Sequence, residues 1–260
     1  MFHYNVVKLC KEANSVGELI AVLSGKGGTG KTSLCAGIAT ALAERGEQVL
    51  CIDCDVGLQN LDLALGLSQA GALSFMDILR GAYPLSSATR HPAYSNLAFL
   101  TAPVNCRAED IDKTLFLEML RFARSQFRYI FLDAPAGLDA GFELCATAAD
   151  RVILVTNGDA AAVRDAARTA QILEGMGKKD VRLVVNRTDK KLFETMCLTV
   201  DDVMDEAALP LLGIVPNDPN VTLATVFDEP LLKYTKKGAA AACRRIARRI
   251  QGLPVPVAIR

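Results

Sequence analysis

The chain has 260 residues, of which 51% are hydrophobic, and Lys plus Arg equals Asp plus Glu at 29 each. That length and apolar content suit one large domain with an ample core, while a net charge of zero supplies no overall field for nucleic acid or an anionic membrane, so any such binding must be local. No apolar run reaches bilayer length, and the opening MFHYNVVKLCKEANSVGELI is interrupted by polar residues where a secretory signal needs its apolar stretch, which predicts a cytoplasmic protein.

In chain order, residues 1–18 read as an N-terminal extension, residues 19–251 as the domain and residues 252–260 as a short tail. Residues 19–24 (LIAVLS) form an apolar run of strand length. Residues 33–44 (SLCAGIATALAE) carry Leu34, Ile38, Ala41 and Leu42 at helical spacing, with Gly46 where a helix stop belongs. Further strand-like runs are predicted at 48–53, 96–101, 129–133, 152–156, 181–186 and 211–215, and helices at 109–127, 141–149, 160–176, 200–207 and 234–251. Residues 81–92 are the least regular and read as a surface connection. The strands are continuously apolar rather than alternating, so both faces of the sheet are covered. The predicted fold is a three-layer α/β/α sandwich with a mainly parallel, doubly wound sheet.

Between the first strand and the first helix lies Gly25-Lys26-Gly27-Gly28-Thr29-Gly30-Lys31-Thr32 followed by Ser33, a complete phosphate-binding loop. Its glycines let the backbone curl so that N–H groups point inward at phosphate oxygens, and the helix that follows adds positive potential. Lys31 is placed to reach the β and γ phosphates, and the Thr32 hydroxyl to ligate a bridging Mg²⁺. Ligands of open α/β sheets gather at the carboxyl ends of strands. There Asp133 follows an apolar run, as a residue holding the Mg²⁺ shell should, and Gly137 lets the backbone approach a γ phosphate. Asp53 and Asp55 are two apart, hence on one side of an extended chain, one suited to the metal's water shell and the other to a nucleophilic water. Asn186 offers a donor and an acceptor for an adenine edge, with Arg187 beside it and Pro216 as a flat apolar wall. The cofactors expected are therefore ATP and Mg²⁺.

Eight cysteines are present, yet Cys35, Cys51, Cys145 and Cys243 sit where a small apolar core residue serves. Cys51 and Cys54 form a CxxC, but no second pair has zinc spacing and the histidines are only His3 and His91.

Taken together, these residues resemble the MinD/ParA family of deviant Walker ATPases. The loop from Gly25 to Thr32 matches its pattern, Asp53-Cys-Asp-Val-Gly-Leu-Gln-Asn-Leu-Asp-Leu63 resembles its switch I segment, and Asp133-Ala-Pro-Ala-Gly137 its Walker B and switch II element. Thr156-Asn157 through Val163-Arg164-Asp165 resembles the next strand end and helix, and the similarity runs from about residue 20 to 251. The resemblance implies a homodimer closed by ATP, with Lys26 reaching the partner's phosphates and Asp55 serving hydrolysis. It implies slow turnover, a protein activator or cargo, and a role in placing a division site or, alternatively, in partition or flagellar placement. An iron–sulfur electron-transfer relative shares the loop, for which Cys106 and Cys145 are the candidate ligands. The ending Gly252-Leu-Pro-Val-Pro-Val-Ala-Ile-Arg260 is too short and proline-broken for the amphipathic membrane helix of MinD proteins. Arginines 244, 245, 248 and 249 instead give the last helix a basic face, read mainly as solvated and otherwise available to lipid or DNA.

Overall fold

A computed structural model describes residues 16–104, 106–195 and 199–257. Most of the N-terminal extension, His3 included, and the end of the tail lie outside the described residues. The strands are β1 (Glu18–Leu23), β2 (Val49–Asp53), β3 (Thr89–His91), β4 (Tyr94–Leu100), β5 (Tyr129–Asp133), β6 (Arg151–Thr156), β7 (Asp180–Thr188) and β8 (Leu211–Pro216). They form one sheet in the order β3-β4-β2-β5-β1-β6-β7-β8. Every pairing is parallel except β3 with β4.

The helices are α1 (Lys31–Glu44), α2 (Leu61–Leu65), α3 (Phe75–Leu79), α4 (Lys113–Ala123), α5 (Ala140–Ala148), α6 (Ala160–Gly175), α7 (Lys190–Thr195), α8 (Val200–Ala207), α9 (Asn220–Val226), α10 (Leu231–Tyr234) and α11 (Gly238–Ile250). Successive strand residues point to opposite faces, so each apolar run feeds two cores. Ile20, Val22, Cys51 and Phe131 join Leu34, Ile38 and Leu42 of α1 and Cys243 and Ile246 of α11 on one face. Leu19, Ala21, Ile52 and Leu132 join Phe116 and Leu120 of α4 and Phe142 of α5 on the other. That second layer continues where Leu183, Val185 and Ile214 meet Val163 of α6 and Val200 and Val203 of α8. The three-layer architecture follows from this double burial.

Departures from the expected elements have local causes. The helix expected at 109–127 is shorter: Ala108–Asp110 takes a 3-10 turn, and the Asp112 carboxylate accepts the N–H groups of Thr114 and Leu115 at 2.9 and 3.1 Å, starting α4 afresh. The helix expected at 234–251 is split into α10 and α11, with Gly238 at φ +55° and Asp218 Oδ2 accepting the Ala239 N–H at 2.9 Å. The connection at 81–92 contains β3, an edge strand held antiparallel to β4. There His91 is buried, donating from Nε2 to the Leu65 carbonyl at 2.9 Å and accepting the Ala93 N–H on Nδ1 at 3.0 Å. Both ring nitrogens are occupied by the protein itself, and burial holds the imidazole below its ordinary pKa.

The core is specific enough to test. Phe131 is fully buried in the central strand β5, so Phe131→Ala is expected to cost about 3–5 kcal/mol. Chemical denaturation should show this as a lower midpoint with an unchanged slope.

Candidate nucleotide-binding site

The central strand β1 lies between β5 and β6, whereas its helix α1 leads to β2 on the far side of β5. The crossovers diverge at this switch point, which opens a crevice at the strand ends. Residues 25–30 cross its floor. The Ser24 hydroxyl donates to the Lys26 carbonyl at 2.8 Å and sets the first bend. At Gly25 a Cβ would stand 2.5 Å from Thr169 Oγ1 and 2.7 Å from the Asp165 carbonyl, so α6 presses directly on the start of the loop. Gly30 has φ +88°, and a Cβ there would stand 2.4 Å from Asn186 Nδ2. Only glycine suits either position.

Helix α1 begins at Lys31 with no side-chain cap and no acidic residue in its first turn. Its leading N–H groups and the positive end of its dipole face the crevice with no acidic residue of the helix itself to occupy them. Lys31 is 7% exposed. Asn186 is buried and donates from Nδ2 to the Thr29 carbonyl at 2.7 Å, so one of the N–H groups expected to read an adenine edge braces the loop instead. Arg187 lies within β7 at φ +52°, where the strand's register is irregular. Beside the loop is a hollow of about 280 Å³ lined by Gly30, Ser33, Asn186, Arg187 and Pro216. Asn217, Asp218 and Val221 also line it, beyond the strand end at Pro216; the Asn-Asp-Pro turn is the sequence signal for the first two.

Two carboxylates stand at the crevice. Asp53 and Asp133 are Cα partners on the adjacent strands β2 and β5, with side chains 0% and 1% exposed respectively. Burial, opposed by hydrogen bonds from the Asp55 and Leu61 N–H groups at 2.9 and 3.2 Å, raises Asp53 to about 7. Burial and then the neighbouring Asp53 charge raise Asp133 to about 8, against the pull of a Thr32 side-chain hydrogen bond and the Lys31 charge. Asp133 Oδ1 is buried with no hydrogen-bond partner. An orphaned buried acceptor on a carboxyl that also feels the Thr32 hydroxyl and the Lys31 charge fits a cation held by this pair and Thr32. Among the described residues no group of three or more His, Cys, Asp or Glu side chains can hold a metal alone. Other ligands must therefore come from phosphate, hydroxyl and water oxygens.

Asp55 does not share a strand face with Asp53, because β2 ends at Asp53. Its Oδ1 accepts the N–H groups of Gly57 and Leu58, each at 3.2 Å, and shapes the following turn. Gly137 has φ +100° with open space around its α-carbon. Lys26, half exposed, lies with Nζ 3.5 Å from Oδ1 of Asp159, the residue that caps α6 by accepting the Ala162 N–H at 2.9 Å. Asp159 was not singled out in the sequence, where a short Gly-Asp before a helix marks a cap and nothing more.

Five of the six described cysteines are buried core residues. Cys51 and Cys54 are buried in opposite core layers, so the CxxC cannot chelate. Cys145 is fully buried while Cys106 is partly exposed, which leaves no shared surface for a cluster between subunits. The arginine face of α11 is also partly used internally. Arg244 grips Glu44 bidentately at 2.8 and 2.9 Å, and Arg249 donates to the Val255 carbonyl at 3.0 and 2.9 Å and to the Leu212 carbonyl.

Loop, helix start and carboxylate pair define a phosphate-loop nucleotide-binding protein. Residues 20–231 match the CobQ/CobB/MinD/ParA nucleotide binding domain. The septum site-determining protein MinD of Synechocystis sp. is 36% identical over 241 residues, covering 92% of this chain and 91% of that protein. Among solved structures, the MinC:MinD cell division protein complex of Aquifex aeolicus has a TM-score of 0.86 at 33% identity, covering 93% of this chain and 98% of that chain. MinD of Pyrococcus horikoshii, solved with Mg-ADP, has a TM-score of 0.78 at 26% identity, covering 90% and 96%. The chain belongs to the MinD/ParA family of nucleotide-binding proteins.

The carboxylate pair predicts a pH dependence without ligand. Because burial lifts the native carboxyls to about 7 and about 8 from the 3.8 of an ordinary aspartate, the native state holds protons that the unfolded state has lost. Their contribution is largest below about 4 and disappears as pH rises through about 8. In EDTA the thermal midpoint should fall as pH rises from about 4 to about 8 and level off above that, and Asp133→Asn should flatten that fall and raise the midpoint at alkaline pH. An unchanged profile in the variant would contradict the assignment.

Proposed function

We propose that this chain is an ATP-hydrolysing, dimerising switch that helps to place a division site. The reading is supported by the named relatives and by one observation above all: the buried Asp53 and Asp133 pair beside an uncapped helix start, with Asp133 Oδ1 left unpartnered. In this reading the amides of residues 25–31 and the Lys31 ammonium bind the triphosphate tail. Thr32, Asp53 and Asp133 would hold a Mg²⁺ ion, which would supply charge neutralisation to the phosphates. Asn186 keeps the loop in shape while Arg187 and Pro216 border the base. Asp55 positions the attacking water once its turn is reordered.

Lys26 is assigned to the other subunit's nucleotide. Its partner in one chain is the half-exposed Asp159 at 3.5 Å, an ion pair weak enough to exchange for phosphate. Exposed Leu58, Leu138, Val226 and Phe227 all lie on loops or short elements following strands β2, β5 and β8, and offer apolar contact to a second copy. A protein activator acts by ordering the segments around Asp55 and Gly137, and the output is a conformation passed to a cargo.

Lys26→Ala is expected to leave monomer nucleotide affinity within a few-fold. It should abolish the ATP-dependent dimer in sedimentation and lower turnover by roughly 10²–10³-fold. Equal dimer mass in wild type and variant would sink the assignment.

A further inference from the structure

Helix α4 carries more apolar surface than its core needs. Phe116, Leu120 and Ala123 face inward, yet Leu115 and Phe122 on the outer side are 43% and 58% exposed. Positions 115, 119 and 122 stand at i, i+4 and i+7, so Leu115, Met119 and Phe122 line up as one stripe along the helix. That stripe walls a hollow of about 270 Å³ together with Leu79 at the end of α3 and Tyr83. The hollow shares Leu79 and Leu115 with a second of about 750 Å³, so the two form one groove. Neither shares a lining residue with the hollow beside the phosphate loop. Large apolar side chains gathered along a groove mark a docking surface rather than scattered surface apolarity.

Charge selects the occupant. Asp77, Asp110 and Asp112 line the larger hollow and Glu118 the smaller, against the single cation Arg80. None of these four acids forms an ion pair among the described residues. Asp110 accepts the Arg107 N–H at 3.1 Å, and Asp112 accepts those of Thr114 and Leu115, which fixes both carboxylates in place without neutralising them. On a chain of zero net charge this is a local negative field. It repels nucleic acid and anionic membrane, and it favours Lys or Arg set beside an apolar stripe. The cationic helix α11 of a second copy does not meet that need, because its apolar side chains Cys243, Ile246 and Ile250 are already buried in its own core. A separate helix does. Leu115 and Phe122 lie roughly 10 Å apart along the axis of α4, two turns, so a helix laid along the groove meets them with apolar residues at its own i, i+4 and i+7 positions and turns its flanking cations to the acids.

We propose that the groove between α3 and α4 receives a cationic amphipathic helix of a partner protein, its apolar stripe packed on Leu79, Leu115 and Phe122 and its lysines or arginines facing the four acids. The proposal uses no residue of the nucleotide site and holds independently of the ATPase reading.

The test is fluorescence anisotropy of the full-length chain with a labelled helical peptide of about three turns, leucine on one face and lysine on the other. Saturable binding that weakens as salt rises is expected, with little binding of the same peptide carrying glutamate in place of lysine. Leu115→Glu and Phe122→Glu, both at exposed positions, should each weaken binding at least about tenfold with circular dichroism unchanged. Glu118→Lys should weaken it several-fold and reduce its salt dependence. Amide hydrogen exchange should slow in α3 and α4 when the peptide is bound. No saturable binding, equal affinity for the acidic peptide, or affinity that survives both apolar variants overturns the proposal. So does a nucleotide-free dimer that Phe122→Glu dissociates, because the occupant is then a second copy. Peptide affinity that rises at least about tenfold on deleting residues 1–15 also overturns it, because the occupant is then a segment of this chain.

Discussion

Two carboxylates placed side by side in a dry part of the sheet set the terms for this site. Asp53 and Asp133 occupy paired positions on neighbouring parallel strands, nearly out of water, and neither is neutralised by a salt bridge. Burying such groups costs several kcal/mol unless they are protonated or given a cation. The apo protein meets that constraint by holding protons, which is why both acids titrate near neutrality. A cation and its phosphate ligands meet it in another way, and the proposed nucleotide chemistry follows from that alternative.

The surroundings serve the same constraint. Thr32 and Lys31 reach the pair from the start of α1, and that start is fixed by a loop pinned from two directions. Helix α6 closes on Gly25, and Asn186 at the end of β7 holds Thr29. The loop is thus preformed, and little reorganisation remains for a phosphate to induce. Lys26 is the exception, held only by a half-exposed ion pair to Asp159. In the proposed cycle this looseness is functional, since a residue meant for another subunit's nucleotide must be free to leave.

Much of this was legible in residue order. Continuous apolar runs gave the long strands because both sheet faces are covered, and the octet from Gly25 to Thr32 announced its loop because backbone geometry there tolerates few residues. Asp133 was visible as an acid terminating such a run. What escaped was set by tertiary contacts. Short helices such as α2 and α3, at five residues each, carry too little periodicity to register. The edge strand β3 exists because β4 offers it a ladder. Asp55 looks like a face-mate of Asp53, but the strand ends at Asp53, two residues short of what that pattern requires. Asn186 was read for its ligand-facing amide, and its hydrogen bond across 157 residues to Thr29 is a contact no local pattern encodes. The arginines of α11 looked like a free basic face until Glu44 and the Val255 carbonyl claimed two of them.

The most direct measurement is calorimetric titration of ATP and ADP near pH 7, with and without magnesium, in two buffers of different ionisation enthalpy. The account predicts magnesium-dependent binding whose heat differs between buffers, corresponding to release of about one proton per chain as the cation displaces protons from the carboxylate pair. Binding heat that is identical in both buffers, or no heat at all, would contradict it.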